Sequence, residues 1–403
     1  MSDQFKQEVL KAFQKVSPSR INIEDDDVLK RYTKDHYKLF LKKLKFPPEM
    51  FKGKSIVDFG CGTGEVDIVL AKWGAMIRGF DFNPTSIERA NSLRERFNFP
   101  GQLTFSVGEM DSFEVEPNSL DMAVSFGVIA HVPNQSQMFQ LMGKSVKPGG
   151  FVILGYVEDS GLVQRLLHRA IIRVNSNNSD EEIYRIAKSC FAEHIDRSVR
   201  YGGRTAESVI NDYLVNPHYL GLSSHTLMDW AKDIGLEFYS TWPNTDLPFV
   251  VDSPYFEPIA RNSEVYKLFI SLNRLRWLFA QQEDSTVFSE LIADMNGLNE
   301  KIENFLSGLS EILQREKYTE TDLSNFRSQL NSMSEGVEEA GLAVISYLRQ
   351  HLGSLGDELD RVLTLIIQKA VNGSDFDLEQ LNGLLFKGFN GLGTSYTIWH
   401  KPE

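Results

Sequence analysis

Hydrophobic and polar positions follow a repeating strand-then-helix order in the first half of the chain. Short apolar runs typical of buried strands occupy residues 55–59, 76–80, 103–107, 122–126 and 151–155. Amphipathic helical spacing separates them at 65–73, 84–96 and 138–146, and a further helix (223–235) and strand (236–243) follow. This alternation predicts a mainly parallel sheet with helices on both faces.

The last third of the chain has a helical pattern instead. Residues 263–390 contain no proline, and apolar side chains recur every three or four positions within 288–312 and 323–347. Such spacing predicts two long helices packed as an antiparallel hairpin, with a turn at 318–321 and flanking helices at 263–282 and 354–371.

The final residues, 394–400, have strand composition and follow a glycine turn. A single strand has no partner within a helical domain, so we expect it to return to the sheet beside the sixth strand, running antiparallel. The predicted fold is therefore α/β, Rossmann-like and doubly wound, with an all-α insertion. The predicted parts are an N-terminal helical segment (1–50), the Rossmann-like domain (51–250), the helical insertion (255–390) and the final strand (392–403).

Composition narrows the classes of function. The chain has 403 residues and a formal net charge of −13, which disfavours nucleic acid and anionic membranes as partners. Two cysteines exclude a disulfide framework, and the histidine spacing indicates no metal site. There is neither a signal-peptide pattern nor an apolar run long enough to span a bilayer, so we expect a cytoplasmic protein.

A glycine-rich turn follows the first strand. Gly60, Gly62 and Gly64 alternate directly after an apolar run that contains Asp58. In the dinucleotide fingerprint a glycine occupies the position that Glu65 fills here, and a carboxylate there would face a pyrophosphate. The turn therefore disfavours an NAD-dependent oxidoreductase and favours a ligand with an ammonium and a sulfonium group.

Five segments in order resemble class I S-adenosylmethionine-dependent methyltransferases. "IVDFGCGTGE" resembles the first motif, and "RGFDFNP" the acidic second motif, which ends at Asp81. "SVGEMDSF" is similar to the adenine-contacting segment, and "LDMAVSFGVIAHVPN" and "VKPGGFVIL" to the fourth and fifth strands. The ordered set covers residues 50–156 and is far more specific than any one motif.

The resemblance implies S-adenosylmethionine as cofactor and S-adenosylhomocysteine as product. The glycines would border the methionine part, Asp58 the ammonium and Asp81 the ribose hydroxyls, while Met110 and Asp111 would border the adenine. The full predicted cofactor set is Tyr32, Asp58, Gly60, Cys61, Gly62, Gly64, Asp81, Phe82, Met110, Asp111, Phe126 and Gly127.

His131 is the candidate catalytic base. It follows the fourth strand, at the sheet edge where open α/β folds bind ligands, and a neutral imidazole there could accept a substrate proton. A structural histidine bonded to the backbone is the equal alternative. The candidate substrate residues are His36, Tyr156, Arg204, Asp212, Tyr213, Asn216 and His218.

These observations predict methyl transfer to an oxygen, nitrogen or carbon nucleophile of a small molecule. One alternative is a protein or tRNA methyltransferase that uses the insertion for recognition. Residues 261–390 carry 20 acidic and 12 basic side chains, which disfavours RNA. Another alternative is a non-catalytic cofactor-binding scaffold, and the hairpin could also form a homodimer interface.

Overall fold

The computed structural model describes residues 3–15, 21–99, 102–110, 114–177, 179–202, 204–216, 219–244, 270, 296–313, 320–381 and 394–403. The chain forms two compact units. One consists of Met1–Ala280, Lys369–Leu381 and Asn390–Glu403, and the other of Gln281–Gln368 and Asn382–Phe389. No helix in the described ranges is both long and apolar enough to cross a membrane.

A seven-stranded sheet forms the centre of the first unit. Its strands are β1 (Ser55–Phe59), β2 (Met76–Asp81), β3 (Leu103–Val107), β4 (Leu120–Phe126), β5 (Val146–Val157), β6 (Glu237–Trp242) and β7 (Thr394–His400), in the order β3-β2-β1-β4-β5-β7-β6. β7 lies between β5 and β6 and pairs antiparallel with both. The predicted Rossmann-like sheet with an antiparallel final strand is confirmed.

The helices of the first unit are α1 (Asp3–Lys15), α2 (Asp26–Tyr37), α3 (Glu65–Lys72), α4 (Pro84–Arg96), α5 (Gln135–Ser145), α6 (Leu162–Asn175), α7 (Asp180–Cys190), α8 (Ala192–Gly202), α9 (Ala206–Ile210) and α10 (Ser224–Asp233). Several of these helices begin after a residue whose side chain accepts a hydrogen bond from a backbone N–H of the first turn. Asn83 accepts from the Thr85 N–H ahead of α4, where Pro84 takes the first position. Ser223 caps α10 in the same way.

The hydrophobic core lies on both faces of the sheet. Successive residues of β1 point to opposite sides, so Ile56 joins the cluster under α3 and α4 while Val57 joins the cluster under α5 and α10. Helices cover both faces of the sheet, so the polar residues that follow the strands lie at the edge formed by the carboxyl ends of the strands. The cavity described below lies at this edge.

The second unit contains an antiparallel helical hairpin made of α11 (Asn296–Leu313) and most of α12 (Glu320–Asn372), whose last residues from Lys369 belong to the first unit. Lys301 pairs with Glu339 at 3.6 Å, while Gly308, further along α11, lies against Gln329, which is earlier on α12. The predicted separate helix at 354–371 is wrong, because α12 runs through to Asn372 and ends at Gly373 with φ +66°. Of the predicted helix 263–282 only Ile270 is described, and residues 288–295 and 318–319 also lie outside the described residues.

Candidate active site

A cavity of about 430 Å³ opens at the carboxyl ends of the central strands. Most predicted site residues line it: Tyr32, His36, Asp58, Gly60, Cys61, Gly62, Asp81, Phe82, Phe126, Gly127, His131, Tyr156, Arg204 and Asp212. The structure therefore brings most of the residues predicted to bind the cofactor and the acceptor together around one cavity.

The glycine-rich turn forms one wall of this cavity. Gly60 and Gly62 have φ values of +86° and +53°, which side-chain-bearing residues rarely adopt. A Cβ on Gly60 would lie 2.6 Å from Val128. The N–H groups of Gly60 and Cys61 both donate to the Phe80 carbonyl at 3.0 Å, which holds the turn against β2. Only glycine fits at position 60.

Asp81 ends β2 directly beside this turn. Its Oδ2 accepts from the Gly62 N–H at 3.1 Å, and its Oδ1 accepts from the Asn83 N–H at 2.9 Å. Burial raises the pKa of Asp81, and these two bonds act in the opposite direction. Each oxygen keeps a second lone pair, so the carboxylate can still accept from a ligand hydroxyl.

Asp58 lies beside a second buried acid, Asp67 on α3. Neither oxygen of Asp67 has a partner among the described donors, so the two carboxyls can bond only if one of them is protonated. Burial raises the pKa of Asp58 to about 7, and burial with the neighbouring charge of Asp58 raises the pKa of Asp67 well above its usual value. A proton on Asp67 would let this carboxyl donate to Asp58.

The N-terminal segment closes the cavity from above this wall. Phe13, Ile21, Tyr32 and His36 line the space. Glu65, which is buried, accepts from the Ile21 N–H at 3.2 Å and from the Thr63 hydroxyl. Glu65 thus fastens the N-terminal segment to the glycine turn.

The opposite wall carries cationic and aromatic groups. Arg204 pairs with Asp212 at 2.9 Å, and Arg165 of α6 lies over the Tyr219 ring at 3.6 Å from its centroid. Burial alone would raise the pKa of Asp212, but the charges of Arg204, Arg165 and His131 hold it below its usual value.

His131 lies between the two walls, in the short turn Ile129–His131 that follows β4. Its ring meets the edges of Phe13 at 5.0 Å and Tyr219 at 4.9 Å between centroids. The imidazole is half-buried and borders the cavity, which is the position a proton acceptor for a bound ligand would need.

Tyr156 lines the cavity, but its hydroxyl is already bonded. It lies 2.9 Å from Ser224 Oγ and donates to Glu158 at 3.3 Å. Burial, then the charge of Glu158, raises the pKa of Tyr156. Glu158 also accepts from the Ser224 N–H at 3.1 Å, so this group joins β5 to α10 and supports the wall.

Four predicted residues lie away from the cavity lining: Gly64, Met110, Tyr213 and Asn216. Gly64 caps α3, where a Cβ would lie 3.0 Å from Ala90, so it serves helix packing. Met110 borders a separate, smaller cavity. Tyr213 and Asn216 are buried behind the cationic wall. Asp111 and His218 lie outside the described residues.

Sequence reasoning missed several residues that line the cavity, above all Phe13, Arg165, Tyr219 and Tyr396. Tyr219 directly follows His218, the last of the candidate substrate residues, so its position carried a signal. Arg165 is one basic position on an amphipathic helix and carried none. Tyr396 faces Gly155 across the β5–β7 pair, which only the sheet order reveals. Within the described part of the chain, no cluster of acidic, histidine or cysteine side chains could hold a metal ion.

Comparisons with known proteins point to one superfamily. A family model described as "Methyltransferase domain" matches residues 50–215. A "Ubiquinone biosynthesis O-methyltransferase, mitochondrial" from Schizosaccharomyces pombe is 30% identical over 164 residues, 40% of this chain and 51% of that protein. A "Probable tocopherol O-methyltransferase, chloroplastic" from Oryza sativa subsp. japonica is 30% identical over 227 residues, 56% of this chain and 53% of that protein.

The chain thus spans about half the length of these curated relatives. The matched segment contains the glycine turn, both acidic strand ends and His131. Sheet order, motif order and family match agree that residues 50–215 form a methyltransferase domain of the class I S-adenosylmethionine-dependent type.

Proposed function

We propose that this protein transfers a methyl group from S-adenosylmethionine to an oxygen of a small-molecule acceptor. The observation that carries the proposal is the cavity itself, whose lining combines an acidic, glycine-lined wall with His131 and the guanidinium groups of Arg165 and Arg204. One wall suits a cationic cofactor and the other a proton-bearing acceptor. The O-methyltransferase names of the relatives favour oxygen as the methylated atom.

The residues present fit this cofactor. Asp58 and Asp81 are carboxyls at the ends of β1 and β2, and position 60 has no room for a side chain. Asp58 would accept from the cofactor ammonium and Asp81 from the ribose hydroxyls. S-adenosylmethionine supplies the chemistry of a methyl group activated on a positively charged sulfur.

The protein's own part is positioning, exclusion of water and proton removal. The N-terminal segment, fastened through Glu65, covers the space and keeps water out. Holding an acceptor against the glycine wall supplies the proximity that a displacement at carbon requires. His131 would accept the proton of the acceptor hydroxyl.

Replacing His131 tests this role. We expect His131→Gln to lower turnover by about 10²- to 10⁴-fold, because that is the typical contribution of a positioned base. Affinity for S-adenosylhomocysteine should stay within about twofold, because no acid of the glycine wall is changed. The assay follows a labelled methyl group from S-adenosylmethionine into an extract of phenols and carboxylic acids. His225 of α10 lies outside the cavity lining, and His225→Gln is the matched control.

Two results would contradict the proposal. A His131→Gln variant with full turnover would assign His131 a structural role. If the protein binds the cofactor but labels none of the small molecules, the proposal of a small-molecule acceptor is wrong, and proteins would be tested as acceptors next.

A further inference from the structure

Arg165 is a buried cation at the wall of the cavity. It lies on the first turn of α6, is 2% exposed and lines the space. Its Nε and Nη1 atoms have no hydrogen-bond partner among the described residues. Burying guanidinium N–H groups without acceptors is costly, so a group that completes them would be bound favourably.

Two aromatic rings lie against the guanidinium of Arg165. Arg165 lies 3.6 Å from the Tyr219 centroid and 4.6 Å from the Tyr213 centroid. Cation–π attraction offsets part of the desolvation cost of the guanidinium, but it does not supply acceptors for the Nε and Nη1 hydrogens.

The charges of this wall leave one unit uncompensated. Arg204 and Asp212 form an ion pair at 2.9 Å. The guanidinium and carboxylate groups that line this side in the described structure are Arg165, Arg204 and Asp212. Because Asp212 neutralises Arg204, the positive charge of Arg165 has no negative partner among them. The opposite wall carries Asp58, Glu65 and Asp81. The cavity is therefore polarised, with cation-binding and anion-binding sides.

We propose that Arg165 binds a carboxylate of the methyl acceptor, so that the acceptor is a carboxylic acid. The assignment rests on the proposed function, since it places the acceptor opposite the cofactor wall. A carboxylate fits better than a phosphate, because one uncompensated charge matches a monoanion. A carboxylate oxygen can accept from either unpartnered N–H group of Arg165 in a charge-assisted hydrogen bond.

Nuclear magnetic resonance of the 403-residue chain with ¹⁵N-labelled arginine tests the assignment at Arg165 itself. The protein is saturated with S-adenosylhomocysteine and titrated with benzoate, with benzamide and inorganic phosphate as parallel probes. The Nε–H signal of Arg165 is identified by its loss in Arg165→Lys. We expect benzoate to shift this signal, whereas benzamide and phosphate leave it unchanged.

Arg169→Lys is the matched control. Arg169 lies one turn further along α6, also has unpartnered guanidinium atoms and does not line the cavity. The benzoate response of Arg165 should persist in this variant. Equal shifts with benzoate and benzamide, no shift with either, or a preference for phosphate would each overturn the carboxylate assignment.

The experiment separates this proposal from the one on which it rests. If S-adenosylhomocysteine does not bind, the proposed function fails at the cofactor. If it binds and Arg165 does not respond to benzoate, only the carboxylate assignment fails. Methyl transfer by Arg165→Lys gives a second readout, in which the preference for an acid over its amide should be lost while cofactor affinity stays unchanged.

Discussion

The carboxyl groups of Asp58 and Asp81 line the same wall of the cavity but have different neighbouring groups. Asp81 accepts two backbone N–H groups from the loops beside it, whereas Asp58 has the buried carboxyl of Asp67 as its neighbour. Burial raises the pKa of both. Two acids that differ in this way are expected to contribute differently to cofactor binding.

Asp81→Asn should weaken binding of S-adenosylhomocysteine by on the order of 10- to 100-fold, because a hydrogen bond to a charged group is worth about 1.5–3 kcal/mol. Calorimetry measures the loss. Asp121 provides the matched control, since it starts β4 at the opposite edge of the sheet and pairs with Lys147 at 2.7 Å. Asp121→Asn should cost stability and spare affinity, and equal losses in the two variants would refute the ribose assignment.

Cofactor affinity should depend on pH through Asp58. Its pKa of about 7 means that the free protein takes up a proton as the pH falls, which removes the charge that an ammonium group needs. Affinity for S-adenosylhomocysteine should therefore fall from about pH 8 to about pH 6, by at most roughly tenfold per unit. Near neutral pH, binding should release protons, seen as a heat that varies with buffer ionisation enthalpy.

Two variants locate the source of this pH dependence. Asp58→Asn should abolish it. Asp67→Asn should preserve it, because the amide still donates to Asp58 while burial, the main cause of the raised pKa, is unchanged. Affinity independent of pH in the wild-type protein would show that Asp58 does not meet the ammonium.

The sequence predicted these residues because they occur at strand ends in a fixed order. It missed Arg165 and Phe13, which reach the cavity from helices whose placement depends on tertiary packing. A periodic pattern shows which face of a helix is apolar, but not which polar side chain of that helix meets a distant loop.

Among the structural elements, the turn between β1 and α3 constrains the site most. Its glycines adopt positive φ, and the turn lies against Val128 after β4. Gly60 is constrained in two ways: its backbone is left-handed, and the side chain of Val128 leaves no space for a Cβ atom.

Gly60→Ala should lower the free energy of unfolding by roughly 2–5 kcal/mol, since a left-handed conformation costs about 1–2 kcal/mol and an overpacked contact about 1–3 kcal/mol. Gly149→Ala is the control, because Gly149 has φ +76° with no described atom within 4 Å of the added Cβ. That variant should lose only about 1–2 kcal/mol. Denaturant unfolding compares them, and equal losses would show that Val128 does not constrain the turn.

Strand and helix patterns in residues 55–157 predicted their elements closely, because period and turn signals agree there. The long helix α12 was less predictable. Gly353 and Gly356 suggest a break, yet a glycine ends a helix only when it adopts a left-handed conformation, as Gly373 does. The sequence alone does not specify which backbone angles a glycine adopts.

At the scale of the whole molecule, the sheet brings distant parts of the chain to one cavity. Phe13 and Tyr396 come from opposite ends of the sequence and both line it. β7 makes this possible because it enters the sheet between β5 and β6. The predicted domain boundaries, and a homodimer through the helical unit, stay predictions.

Calorimetry of the wild-type protein with S-adenosylmethionine, S-adenosylhomocysteine and NAD tests the central claim most directly. The acidic, glycine-lined wall predicts micromolar-range binding of both sulfur-containing ligands and no binding of NAD, whose pyrophosphate would meet Asp58, Glu65 and Asp81. Binding of NAD, or absence of heat with both sulfur ligands, would contradict the account.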